Sequence, residues 1–269
     1  GFAGPSDPRL SNTVHLDRDG NLICRAETVG LARGLAIDAF GDVWVGAFRD
    51  EKVYRVSGTM VGEPDPEGIP RCEMYDLAPD DPREVALKVA VEVYGLSISG
   101  TGVLWSSSQP TARIDTNDLT YDLVPHGGSY GVVVDRNGDA WFGTQVTRGN
   151  AVGPYVNRAA YETVTTAGGE TLTAADDGVI WSTGGSNLYR VEPDTYAVTT
   201  YTNPFSASTK GVAQDDQGKI WAVCQSGCAL RFDPVNLVWD RFFVDPGQAN
   251  YTYSDMTGAL LRQFVARQG

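Results

Sequence analysis

Apolar and polar residues alternate over short stretches of this chain, and five of those stretches end in the same way. Each carries Gly or a small residue, an alternating apolar run, a short turn containing Gly, and then Trp. They read GLAIDAFGDVW to Trp44, GLSISGTGVLW to Trp105, GVVVDRNGDAW to Trp141, LTAADDGVIW to Trp181 and GVAQDDQGKIW to Trp221. Period-two alternation on both sides of a D-x-x-G turn predicts a β-hairpin. A third apolar stretch follows, as in KVYRV (52–56), ARI (112–114), LYRV (188–191) and ALRF (229–232). Most copies add a fourth, such as AVTTYT (197–202) and LVWDRFFV (237–244). The Trp spacings are 61, 36, 40 and 40 residues. Four strands in about 40 residues make one propeller blade.

The chain ends supply a sixth copy. NYTYSDMTGALLRQF (250–264) repeats the first hairpin, with Leu261 placed 40 residues after Trp221. The remaining two strands of that copy are found at the other end, as NTVHLD (12–17) and NLICRAETV (21–29). A blade shared by both termini closes a ring and hides two sheet edges. The expected fold is therefore all-β: one domain, 1–269, forming a six-bladed β-propeller with four-stranded blades. The blades fall near 30–78, 90–126, 128–167, 170–204, 208–246, and 250–269 completed by 11–29. Two copies depart from the period. The first carries roughly 20 extra residues within 57–92, where Asp81 and Pro82 would cap a short helix or the run would form a surface excursion with an outer strand. In the third, VTRGNAVGPYVNRAAY (146–161) reads as a Gly-rich loop in place of the third strand's start.

One Trp per blade at one register predicts packing between blades. The D-x-x-G elements, including DRDGN (17–21) and DRNGD (135–139), lack the further spaced carboxylates of a calcium loop and read as hairpin turns.

Composition narrows the function. The net charge is -13, from 34 acidic and 21 basic residues. Such a chain is repelled by phosphate backbones, which argues against nucleic acid as a partner. No apolar run approaches the roughly 18 residues of a membrane span, and residues 1–9 show no signal-peptide pattern. Cys224 and Cys228 flank a hairpin tip, while Cys24 and Cys72 fall on the fourth strands of neighbouring blades. Both pairs fit disulfides, which imply an oxidising compartment, extracellular or periplasmic. A zinc site is the rival reading, but the two His in the chain are not at ligand spacing from a Cys pair.

The blade pattern, with a third strand reading [apolar]-x-R-[apolar], resembles the virginiamycin B (streptogramin) lyase-like propellers within the NHL-like group. That resemblance implies the propeller fold over nearly the whole chain. In members with lyase activity it implies Glu after a W-[FI]-T element, and His and Glu holding magnesium at one end of the channel. Here the matching stretches are WVGAF (44–48), WSSSQ (105–109), WFGTQ (141–145), WSTGG (181–185) and WAVCQ (221–225), and none contains Glu or His. His15 falls in a third strand and His126 in a loop, so neither matches. The lyase catalytic set is missing from these positions, and no catalytic or metal-binding residue is assigned.

One constellation stands out. Innermost strands line a propeller channel, and the residues at their entrances are Arg33, Tyr94, Tyr130, Thr171, Lys210 and Tyr251. Aromatics with two cations suit a flat or anionic ligand; the alternative is that these side chains plug the channel. The leading expectation is a binding or interaction module for a protein, glycan or small anionic ligand, with no cofactor. A divergent metal-dependent lyase or hydrolase is the rival, using Mg or Ca and recruiting His126 with Glu27 or Asp255. A structural or sensor module of a larger protein is the third reading.

Overall fold

The structure is a computed structural model that describes residues 10–124, 130–143, 146–149, 161–165, 169–225 and 227–243. Strands and turns account for all the secondary structure of these residues, which contain no helix. The first sheet holds β1 (Leu10–Leu16), β2 (Leu22–Val29), β3 (Ala32–Ile37), β4 (Val43–Ala47), β5 (Lys52–Gly62) and β6 (Arg71–Met74), in the order β1-β2-β6-β5-β4-β3. The short β7 (Leu87–Lys88) pairs with β5. Four antiparallel four-stranded sheets follow. The second comprises β8 (Gly95–Ile98), β9 (Val103–Ser107), β10 (Thr111–Asp115) and β11 (Tyr121–Val124). The third comprises β12 (Val132–Val134), β13 (Ala140–Phe142), β14 (Val146–Gly149) and β15 (Tyr161–Thr165). The fourth runs β16 (Thr171–Ala174), β17 (Ile180–Gly184), β18 (Asn187–Val191) and β19 (Val198–Thr202). The fifth runs β20 (Thr209–Gln214), β21 (Ile220–Cys224), β22 (Cys228–Asp233) and β23 (Val238–Phe243).

The first strands of successive sheets lie side by side, β3 on β8, β8 on β12, β12 on β16 and β16 on β20. Hydrogen bonds cross between them. The Gly131 N–H donates to the Glu170 carbonyl at 3.0 Å, the Val134 N–H to Ser97 Oγ at 2.9 Å, and the Gly211 N–H to Thr171 Oγ1 at 3.1 Å. Gly at the head of a first strand has a steric reason. A Cβ on Gly131 would sit 2.8 Å from the Glu170 carbonyl oxygen, and one on Gly34 would sit 2.9 Å from the Gly95 carbonyl carbon.

Trp44, Trp105, Trp141 and Trp181 each stand on a second strand and pack onto the next sheet. Trp44 joins Leu96, Ile98 and Leu104; Trp105 joins Val132 and Phe142; Trp141 joins Leu172 and Ile180; Trp181 joins Val212, Ile220 and Phe232. In three of the five hairpins the turn that precedes the Trp is built around one aspartate. Asp135 Oδ1 accepts the N–H groups of Asn137 and Asp139 at 2.8 and 3.0 Å, and its Oδ2 accepts Trp141 Nε1–H at 2.9 Å. Asp38 with Trp44 and Asp215 with Trp221 repeat the arrangement. On the third strand an Arg faces the Trp, with Arg55, Arg113 and Arg231 at 5.4, 6.0 and 5.8 Å from their indole rings. This is the R of the third-strand pattern, a cation over an aromatic face.

Both cysteine pairs are bridged, Cys24 to Cys72 and Cys224 to Cys228, each with Cα atoms 5.0 Å apart. The first bridge ties β2 to β6, which otherwise meet as a parallel pair at Arg25 and Arg71. Of the two readings of the run at Asp81, the structure selects the surface excursion with an outer strand, and one expectation, for the third sheet, is corrected. Asp81 and Pro82 lie in a turn, where the Glu84 N–H donates to the Asp81 carbonyl at 3.0 Å, because the run is held against β5 by a Lys52–Glu84 ion pair and by β7. In the third sheet, residues 146–149 form a third strand that pairs with β13 and, through a bulge at Val146/Thr147, with β15. Its alternation was hidden by the Gly-rich residues that follow. The hairpin expected at 250–264 lies outside the described residues.

Candidate binding site

Counting back from each Trp locates the site. The residues eleven positions before the five Trp are Arg33, Tyr94, Tyr130, Glu170 and Lys210, all at the heads of the first strands. Because those strands lie side by side, residues far apart in sequence meet there. The Arg33 guanidinium carbon lies 4.6 Å from the Phe48 ring centroid and 4.8 Å from that of Tyr94. Phe48 and Tyr94 meet edge to face at 5.2 Å. Tyr94 and Tyr130 follow at 5.0 Å, and Lys210 Nζ is 4.7 Å from the Tyr130 centroid. Lys210 then forms an ion pair with Glu170. Each of these six side chains is partly exposed. The result is a row of three aromatics and two cations from four sheets, with Glu170 supplying the fifth.

Four of the six expected residues, Arg33, Tyr94, Tyr130 and Lys210, stand in this row. Thr171 does not. It is 0% exposed, and its Oγ1 accepts the Gly211 N–H between two first strands. Thr171 occupies the Gly position, ten residues before Trp181, so Glu170 is its blade's representative at the head of the strand. Tyr251 lies outside the described residues; it too stands ten, not eleven, positions before its Trp-equivalent, Leu261. Phe48 was missed because it follows the second strand. Its backbone N–H donates to the Leu31 carbonyl at 2.9 Å, which turns the ring back toward Arg33.

Of the residues proposed for a divergent enzyme, only Glu27 is among the described residues. Glu27 is on β2, 3.5 Å from Arg25, and His15 is exposed on β1. His126 and Asp255 lie outside the described residues. Among the described residues no group of three His, Cys, Asp or Glu side chains has metal-ligating geometry. A cavity of about 230 Å³ lies beside the Cys24–Cys72 bridge, lined by Arg25, Glu27, Asp65, Arg71 and Met74. The partly exposed Arg25 is engaged by Asp65 and by Glu67.

No model of a known protein family matches the chain, and neither does any curated protein. Solved structures do. A catalytically inactive virginiamycin B lyase from Staphylococcus aureus with quinupristin aligns at a TM-score of 0.62 and 15% identity, over 93% of this chain and 89% of that one. A streptogramin B lyase structure aligns at 0.57 and 17%, over 81% and 70%. The fold is that of a streptogramin lyase-like β-propeller. Its sheets are blades, and the heads of their first strands are at the propeller axis. The same architecture occurs in YCF48 bound to D1 peptide, at a TM-score of 0.54 and 13% identity, over 93% and 75%. At these identities the likeness carries the fold and not the chemistry.

Proposed function

We propose that this propeller is a binding module that takes a protein, glycan or small anionic ligand at the axial row Phe48, Arg33, Tyr94, Tyr130 and Lys210. The observation that carries the reading is the row itself: two cations and three rings from four blades, side by side and partly exposed. Stacking on aromatic faces and charge-assisted hydrogen bonds are what an anionic or planar group requires. YCF48, bound to a peptide, is a precedent for this fold as a recognition surface. The two disulfides favour an extracellular or periplasmic setting. The test is an array of immobilised peptides, glycans and aromatic acids probed with the intact protein and with the Arg33→Ala/Tyr130→Ala double variant. The variant should melt within a few degrees of the parent and lose the parent's signals. Unchanged binding by a folded double variant would remove the row as the site.

The ring has six blades in this reading. Trp44, Trp105 and Trp141 are 0% exposed and Trp181 2%, each beneath the next blade. Trp221 is only half-buried among the described residues, stacked on Phe242 at 5.2 Å with Arg231 beside it. Residues 250–264, with β1 and β2, complete the blade that covers this face. Slow amide hydrogen exchange across 250–264 is expected; unprotected exchange there would refute closure.

The alternative is a divergent metal-dependent enzyme of the streptogramin lyase or hydrolase type, using Mg or Ca. It draws on the fold alone.

A further inference from the structure

Lys210 is the point at which the row meets a carboxylate of its own chain. The lysine side chain is 18% exposed and its partner Glu170 43% exposed. The pair is therefore asymmetric. Glu170 reaches water by a side-chain rotation, whereas an ammonium held this deeply needs an anion in its place. The backbone does not have to follow that rotation. The Glu170 carbonyl accepts the Gly131 N–H at 3.0 Å, and its N–H donates to the Thr183 carbonyl at 2.9 Å. Lys210 Nζ also lies 4.7 Å from the Tyr130 ring, which itself adjoins Tyr94. An anion that reaches Nζ brings whatever ring it carries into contact range of these two phenols.

We propose that Glu170 is a built-in competitor that holds the Lys210 site until an aromatic anion, an aryl carboxylate or sulfonate, displaces it. The inference rests on the binding role of the row and specifies its ligand class and its restraint. The pair is open to water on the Glu170 side, which screens it, so releasing the site changes affinity by a factor of about two to five. The probe is pyranine, a trisulfonated pyrene dye, titrated by fluorescence anisotropy at low salt against the intact chain. Glu170→Gln should tighten binding about two- to fivefold, and the gain should shrink at 0.15 M salt as charges are screened. Lys210→Met should weaken binding about tenfold or more, and adding Glu170→Gln in that background should change nothing. Unchanged or weaker binding by Glu170→Gln overturns the competitor, while loss of binding in Arg33→Ala/Tyr130→Ala would leave the row standing as the site. Pyranine that binds neither the parent nor Glu170→Gln, or that still binds the Arg33→Ala/Tyr130→Ala variant, overturns both. Melting temperatures of all variants separate these outcomes from unfolding.

Discussion

Removing the Cys24–Cys72 bridge should destabilise the protein more than removing Cys224–Cys228, and the difference follows from loop size. The first bridge joins residues 48 apart and closes a loop around the whole of blade one; the second joins residues 4 apart. In the chain-entropy treatment these closures restrict the unfolded state by about 4 and about 2 kcal/mol. The first junction has polar and apolar support besides the bridge, with Cys24, Ala26, Tyr54 and Cys72 in one buried cluster. The strands it joins share the Arg25–Arg71 pair, the Arg25 N–H to Pro70 carbonyl bond at 2.9 Å, and the Arg25 ion pairs to Asp65 and Glu67. Both its cysteines are buried, at 1% and 6% exposure, so alanine is the replacement that adds no buried hydroxyl. Guanidinium unfolding followed by Trp fluorescence and far-ultraviolet circular dichroism measures each double variant against the parent. Cys24→Ala/Cys72→Ala should lose about 4 kcal/mol, with a steeper denaturant dependence because the unlinked chain exposes more surface. The two losses should add, since the bridges lie in different sheets. Thiol titration of the denatured, unreduced parent should find no free cysteine. A Cys24→Ala/Cys72→Ala loss no larger than that of Cys224→Ala/Cys228→Ala would refute the argument, because loop size would then not set the order.

Asp135→Ala strips three N–H donors of their acceptor in a buried turn and should cost about 2 to 4 kcal/mol. Asp17→Ala breaks the same turn bonds to Asp19 and Asn21 in a solvated turn with no Trp and should cost about 1 kcal/mol or less; equal losses in chemical denaturation would deny the Asp–Trp bond its role. Burial pushes the Asp215 carboxyl up, but the Trp221 indole and the Lys219 and Gln217 backbone N–H groups outweigh it and hold it below its ordinary value. Its contribution is therefore complete above the unfolded-state value near pH 4 and drains away as pH falls through the folded one. Asp215→Asn should melt below the parent at pH 7, and the gap should narrow as pH falls below about 4; a gap that does not narrow on acidification would contradict this. A thermal-shift series with EDTA, then magnesium or calcium, should be flat for a metal-free binding module, and a metal-dependent rise would favour the enzyme alternative.

Much of the architecture was legible because a blade is a local object. The alternation before Trp141, the DRNGD turn and the Trp itself sit within about a dozen residues, and each makes sense from its neighbours: Asp135 accepts two backbone N–H groups of its own turn and the indole six residues on. The cysteine pairs were legible for a related reason. Once strand order is known, Cys24 and Cys72 fall on adjoining outer strands and Cys224 and Cys228 on one hairpin. The third strand of blade three was not, because its four residues are followed by a Gly-rich run that breaks the alternation. At Asp81 the sequence left two readings open, and the residue types of a helix start are overridden by contacts with β5.

The candidate site divides along the same line. Arg33, Tyr94, Tyr130 and Lys210 could be named because Gly follows each and marks the strand head. In blade four that Gly is replaced by Thr171, and only the inter-blade bond from Gly211 reveals that the residue faces a neighbouring strand while Glu170 takes the outward place. By itself the sequence determined the hairpins of the five described blades and four of the residues at their heads, since strand alternation and turn chemistry act over a few positions. Which of those heads touch, that Phe48 closes one end of the row and that Glu170 occupies Lys210 were decided by tertiary structure. Those contacts join residues from separate blades, and they depend on how closely the first strands converge, a distance set by packing between sheets and not by any one segment.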